Sequence, residues 1–202
     1  MTPSRRKQRS QRVVRRTVLL VTNGRVTEDA YLRQLCRRVN HDGISAKVKV
    51  IKGDPLTVVK QLGGPRSDLS EYEEVWIVVD HDGQDRHDFL AKCRRLSSKR
   101  TVVHGVVSVP CFEVWLNAHY APVKNYQNQA DAQTHYRELT GLSSKDAKML
   151  PDDFPWDRGG QAAARCHLPT DSLPETDTQG PCPSTTMPHL LCSLGLLSAD
   201  EL

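Results

Sequence analysis

Five consecutive apolar residues, Val75–Val79 (VWIVV), run directly into Asp80-His81-Asp82-Gly83. Side chains of a strand alternate between its two faces, so a strand with no polar residue has neither face in water. That pattern predicts a parallel sheet covered by helices on both sides. Other segments are read around this strand. Thr17–Thr22 (TVLLVT) is a second β-branched run, closed by Asn23-Gly24. Ala46–Ile51 (AKVKVI) alternates, as expected nearer a sheet edge, and Val102–Ser108 is a fourth apolar strand.

Helical patterns separate these strands. Glu28–Val39 places Tyr31, Leu32, Leu35 and Val39 on one stripe, with Thr27 positioned to cap it. Pro55–Leu62 opens at its proline and closes at Gly63-Gly64-Pro65. Arg86–Leu96 turns Phe89, Leu90, Cys93 and Leu96 inward, and a further helix spans Cys111–His119 after Pro110. Strands and helices alternating in this way predict an α/β fold, a Rossmann-like parallel sheet of about four strands flanked by helices. Beyond residue 120 the signal weakens. Ala130–Gly141 reads as a helix, Pro151–Pro183 as loop-rich or partly disordered, and Thr185–Leu197 as a last helix docking on the body.

Charge divides the chain of 202 residues into three parts. Residues 1–16 carry seven basic side chains and no acid, and are expected to form a flexible arm. Residues 17–150 form the mildly basic α/β body, and residues 151–202 hold two basic and eight acidic side chains. No apolar run approaches the roughly 20 residues of a membrane helix. Nor does a signal-peptide pattern follow the arm, since Thr17–Thr22 is too short for an apolar region. The six cysteines form no CxxC pair and no zinc spacing, which predicts reduced thiols in a cytoplasm.

In open parallel sheets, ligands bind outside the carboxyl ends of the strands. Here the first strand runs into Asn23-Gly24-Arg25-Val26-Thr27-Glu28, the third into Asp80-His81-Asp82-Gly83, and the fourth into Ser108 and the helix carrying Glu113. Asp80 and Asp82 are expected to point at a common site. Hard cations such as Mg²⁺ take a few carboxylate oxygens together with water and phosphate oxygens. An Asp-Gly turn stabilised by its own backbone bonds is the competing account of the same residues. An EF-hand is excluded: counted from Asp80, Gly83 is fourth and the twelfth residue is Ala91. Glu113, in the first turn of its helix, is equally explained by the helix dipole. The stripe Phe112, Trp115, Leu116 and His119 reads as core, with His119 a hydrogen-bonded packing residue. His81 and His87 beside Asp82, Asp85 and Asp88 offer a transition-metal alternative, without a helical i, i+4 histidine pair to support it. Gly24 leaves room for backbone to approach a phosphate, but neither a GxGxxG nor a Walker lysine is present. Arg12, Arg15 and Arg16 of the arm form an electrostatic footprint for nucleic acid.

Several segments together resemble the RloB/AbiLii-type proteins, which carry a Toprim-like domain. They are Asn23-Gly24-Arg25-Val26-Thr27-Glu28 with Tyr31, Asp80-His81-Asp82, Pro110-Cys111-Phe112-Glu113-Val114-Trp115-Leu116 with His119, and Cys182-Pro183-Ser184-Thr185. The resemblance implies a Toprim fold and a Mg²⁺-dependent (Mn²⁺ as substitute) nuclease cutting phosphodiester bonds in bacterial anti-phage defence, of the abortive-infection kind. It also implies an AAA-type ATPase encoded nearby as partner. In that reading Asp80, Asp82 and Glu28 hold the metal, and Glu113 completes the acidic catalytic set. Asn23, Gly24, Arg25, Lys145 and the arm would contact substrate. A homo-oligomer stays open, and no membrane partner is expected.

Two departures stand out. Asn23 occupies the position of a family glutamate, and Cys182 that of a family asparagine. An amide takes no proton, so Asn23 supports an alternative: a catalytically silent subunit binding nucleic acid or the ATPase. A second alternative is a phosphatase resembling the HAD family. There Asp80 would be the nucleophile, Asp82 the general acid, and Asp152-Asp153 the final acidic pair.

Overall fold

The computed structural model describes residues 15–40, 43–143, 149–168 and 172–202. The strands are β1 (Arg16–Thr22), β2 (Ile44–Val50), β3 (Glu74–Asp80), β4 (Val102–Val109) and β5 (Ser184–Thr185). They stand in the order β2-β1-β3-β4-β5. The first four are mutually parallel, in a register that sets Leu19 beside Val75 and Asp80 beside Ser108. The helices are α1 (Thr27–Val39), α2 (Pro55–Leu62), α3 (His87–Leu96), α4 (Glu113–Tyr120), α5 (Gln129–Thr140), α6 (Gly159–Ala163) and α7 (Met187–Ser193). This is the Rossmann-like α/β architecture expected, with β2 at the sheet edge.

Strand alternation decides which helices cover which face. Val18, Leu20, Trp76, Val78 and Val106 join the core formed with α1, α4, α5, α6 and α7. Leu19, Val21, Val75, Ile77, Val79, Val103 and Val107 pack with α2 and α3. All five residues of Val75–Val79 are 0 to 3% exposed, as a strand covered on both faces requires. Gly105 lets α3 settle onto β4, because a Cβ there would lie 2.7 Å from Leu90 Cδ2.

Helix ends differ in how they are satisfied. Asp54 caps α2 by accepting from Thr57 N–H at 2.9 Å, and Asn128 caps α5 by accepting from Asp131 N–H at 3.1 Å. Thr27, expected as the cap of α1, is instead its first residue. The cap position falls on Val26, without a capping side-chain hydrogen bond.

Between Pro151 and Pro183 the described residues are loop-rich, as expected, apart from a 3-10 turn at Trp156–Arg158 and α6. A fifth strand, absent from the expected set of about four, pairs antiparallel with β4 through Ser184 and Thr185. Two residues are too few to show any periodicity. Alongside, Asp177 accepts from Gly105 N–H at 2.7 Å and lies 2.9 Å from His104 Nδ1. Thr186 N–H donates to the Val107 carbonyl, and its Oγ1 accepts from Val107 N–H. The tail thus seals the outer edge of β4, where backbone groups would otherwise stand unpaired. Met187, Leu190, Leu191 and Leu194 then bury α7 in the core, as expected for the last helix. Among the described residues no helix is long and apolar enough to cross a membrane.

The largest aromatic cluster lies under α4. Trp115 Nε1 donates to Tyr31 Oη at 2.8 Å, and Phe112, Phe154 and Trp156 pack around Tyr31. His119 sits against Trp115, Tyr31 and Phe154 and donates from Nδ1 to the Trp115 carbonyl at 3.0 Å. It is the hydrogen-bonded packing residue expected. Burial lowers its pKa from 6.5 to about 4, partly opposed by the Trp115 hydrogen bond and aided by the Arg165 charge. The sign for stability follows. Below pH 6.5 the unfolded chain takes up a proton that the folded chain refuses until about pH 4. Stability is therefore full above that window and falls through it, by up to about 3 kcal/mol from this residue. Urea unfolding of the wild type and His119→Asn between neutral and acid pH checks this; the variant, destabilised at neutral pH, should lose that part of the slope.

Candidate active site

Three chain segments leave the carboxyl edge of the sheet and meet in one cavity of about 350 Å³. The turn after β1 supplies Gly24 and Arg25, and the first turn of α1 supplies Glu28. Asp80 ends β3, and Glu113 is the first residue of α4, reached from β4 through Pro110-Cys111-Phe112. Gln129 and Gln133, one turn apart on α5, complete the wall. Glu28, Asp80 and Glu113 are thus brought together, as expected.

Their charges are felt at Asp80. Burial pushes its carboxyl well above the usual range. The negative charges of Glu28, Glu113 and Asp82 push it further, against a hydrogen bond from the Phe112 backbone. Cys111 beside it is also raised, by burial first and then by Glu113 and Asp80. Glu113 itself is only 5% exposed. Arg25 is the one cationic side chain in the cavity wall among the described residues, and it is exposed. The cavity therefore gathers three carboxyl groups, and their proximity disfavours ionisation of Asp80.

Gly24 has a different part from the one expected. A Cβ at Gly24 would lie 2.1 Å from Glu28 Cδ, so the missing side chain is what leaves space for the Glu28 carboxylate. The turn is held by Gly24 N–H donating to Thr22 Oγ1 at 2.9 Å. Asn23 lies outside the cavity wall and donates from Nδ2 to the Gly53 carbonyl at 3.2 Å. Of the two neighbouring polar positions, it is Glu28 that faces Asp80.

Asp82, expected to share a site with Asp80, acts on it through its charge but lines an adjoining cavity. Its φ of +49° turns the chain, and its N–H donates to the Pro110 carbonyl at 3.1 Å. It lines a second cavity of about 360 Å³ with His81, Pro110, Asn128 and Cys182, adjoining the first at Gln129. Two residues apart share a side only while the chain stays extended, and here Gln84 N–H closes a turn on the His81 carbonyl at 2.9 Å. The Asp-Gly turn and the acidic cluster coexist.

Other expected residues lie elsewhere. Arg16 begins β1 and bonds Glu74 Oε1 at 2.8 Å and the Ser193 carbonyl. Arg15 precedes it. Because β1 spans roughly 20 Å, both stand at the opposite edge of the sheet from the cavity. Arg12 and Lys145 lie outside the described residues. His87 pairs with Asp85 at 2.7 Å on the surface. Asp152 lines a separate cavity with Asp29 and Trp156, away from the wall around Asp80.

Three residues escaped sequence reasoning. Arg86, 7% exposed, donates from Nε to the Asp80 carbonyl at 2.9 Å and so fixes the end of β3. No local pattern marks it, because its partner is backbone. Gln129 and Gln133 had a visible signal in their i, i+4 spacing.

The donors suit a hard divalent cation in chemistry: carboxyl groups and amide oxygens around one cavity. Among the described residues no three His, Cys, Asp or Glu side chains stand ready to hold one ion together. Mg²⁺, which keeps several waters and binds through one or two carboxylates, fits such a pocket through Asp80 and Glu28.

A mainly parallel α/β sheet with carboxylates gathered at its carboxyl edge defines the class. The family model described as RloB-like protein matches residues 18–194, and the chain belongs to the RloB-like family. No curated protein and no solved structure matches it.

Gly24→Ala should displace the Glu28 carboxylate, visible in a crystal structure of the variant. Urea unfolding should change by no more than about 1 kcal/mol, because the obstructing atoms end a flexible side chain.

Proposed function

We propose that the chain is a divalent-cation-dependent nuclease with a Toprim-like catalytic edge, acting on phosphodiester bonds of nucleic acid. The observation that carries this reading is the convergence of Glu28, Asp80 and Glu113 in one cavity, with Asp80 raised by burial first and then by the charge of the other two. Asp80 and Glu28 would hold Mg²⁺ or Mn²⁺, with Asp82 close enough to add its charge. When bound, the ion supplies charge that polarises the phosphoryl group and eases loss of a proton from water. Glu113, buried at the start of α4, would accept a proton from the attacking water. Arg25 at the mouth offsets phosphate charge, and the amides of Gln129 and Gln133 can donate to its oxygens. The wider setting implied by the resemblance, cytoplasmic anti-phage defence beside an AAA-type ATPase, belongs to the same proposal.

The silent-subunit alternative rested on Asn23. That amide is turned to the Gly53 carbonyl while Glu28 faces Asp80, which favours the active reading.

Cleavage of labelled DNA and RNA in Mg²⁺ or Mn²⁺ tests the proposal. Cleavage should vanish with chelator. Asp80→Asn should lower it by more than the roughly 10- to 100-fold typical of losing a ligand's outer partner, and Glu28→Gln should act alike. Asn23→Glu should add little; cleavage seen only in that variant would favour the silent reading.

A further inference from the structure

The sheet face covered by α2 and α3, opposite the α1 and α4 side, carries a groove of about 570 Å³ between those two helices. Leu56, Val59 and Leu96 form its apolar part. Leu56 is 38% exposed, one of the few large apolar side chains left in water among the described residues. Gly63 shapes the wall: a Cβ there would lie 2.8 Å from Leu96 Cδ2, so the glycine lets the end of α3 close against α2.

Three cations rim the groove. Lys60 comes from α2, and Lys92 and Arg95 come from α3, where i, i+3 spacing sets them on one face. All three are exposed, and none has an ion-pair partner among the described residues. The acid at the rim, Asp54, is already engaged: it accepts from Thr57 N–H and from Thr57 Oγ1, each at 2.9 Å. Three neighbouring positive charges repel one another and contribute nothing to folding that these contacts reveal.

An apolar trough rimmed by unpaired cations complements an amphipathic helix whose polar positions are acidic. A phosphodiester backbone would use the cations but would leave Leu56 and Leu96 facing hydrated charge. We propose that this groove docks an acidic amphipathic segment of a protein partner, its apolar side chains against Leu56 and Leu96 and its carboxylates against Lys60, Lys92 and Arg95. The site is independent of the nuclease reading, since no residue lines both cavities.

The test uses the full chain and a fluorescein-labelled helical peptide with leucines along one stripe and glutamates elsewhere. Fluorescence anisotropy should show saturable binding. Leu56→Ser, and Lys60→Glu with Arg95→Glu, should each weaken it about tenfold or more, with the thermal unfolding midpoint nearly unchanged. A peptide with its leucines replaced by serines should bind far more weakly. Equal binding of the serine peptide would reduce the groove to unspecific charge attraction and overturn the proposal. So would absence of saturable binding to the wild type. A single-stranded oligonucleotide that binds and is weakened by the same substitutions would assign the surface to nucleic acid instead.

Discussion

Burial of β3 on both faces is the constraint from which the rest of the molecule follows. Val75, Ile77 and Val79 face α2 and α3, while Trp76 and Val78 face the core of α1 and α4–α7. Each such side chain gains roughly 1.5–3 kcal/mol on burial, so both layers of helices must be present at once. With β3 central and its neighbours parallel, the carboxyl ends of β1, β3 and β4 open on the same edge. Asp80 is then forced to the rim of the sheet, one residue beyond its apolar run.

That position costs stability. A carboxylate half out of water beside Glu28 and Glu113 is disfavoured in its charged form, and Asp80 is raised accordingly. The scaffold holds the arrangement from behind. Arg86 grips the Asp80 carbonyl, not its carboxylate, and Gly24 leaves space for Glu28. A carboxyl held on a rigid frame with its pKa raised by burial and by neighbouring acids is the kind of group that marks a candidate functional site.

The tail completes the frame. Asp177, Thr186 and β5 satisfy backbone groups along β4, and Arg165 reaches the Ala118 and His119 carbonyls at the end of α4. Cys182, just before β5, borders the cavity that holds Asp82. A segment that reads as loose by composition therefore supports both the sheet edge and the surroundings of the site.

The sequence by itself determined the elements whose residues answer to a local period. VWIVV, TVLLVT and AKVKVI appear as β3, β1 and edge strand β2, and Pro55–Leu62 appears as α2 with the same bounds. Topology rules then placed Glu28, Asp80 and Glu113 at one edge. Only the tertiary structure decided what depends on a single backbone angle or on a distant partner. Asp82 sits in a turn with positive φ and lines the adjoining cavity, and Gly24 leaves space for Glu28. Arg16 is tied to Glu74 at the far edge, and a two-residue strand closes the sheet. Periodicity records burial averaged over a face; it carries no record of a turn's handedness or of a hydrogen bond between residues far apart in the chain.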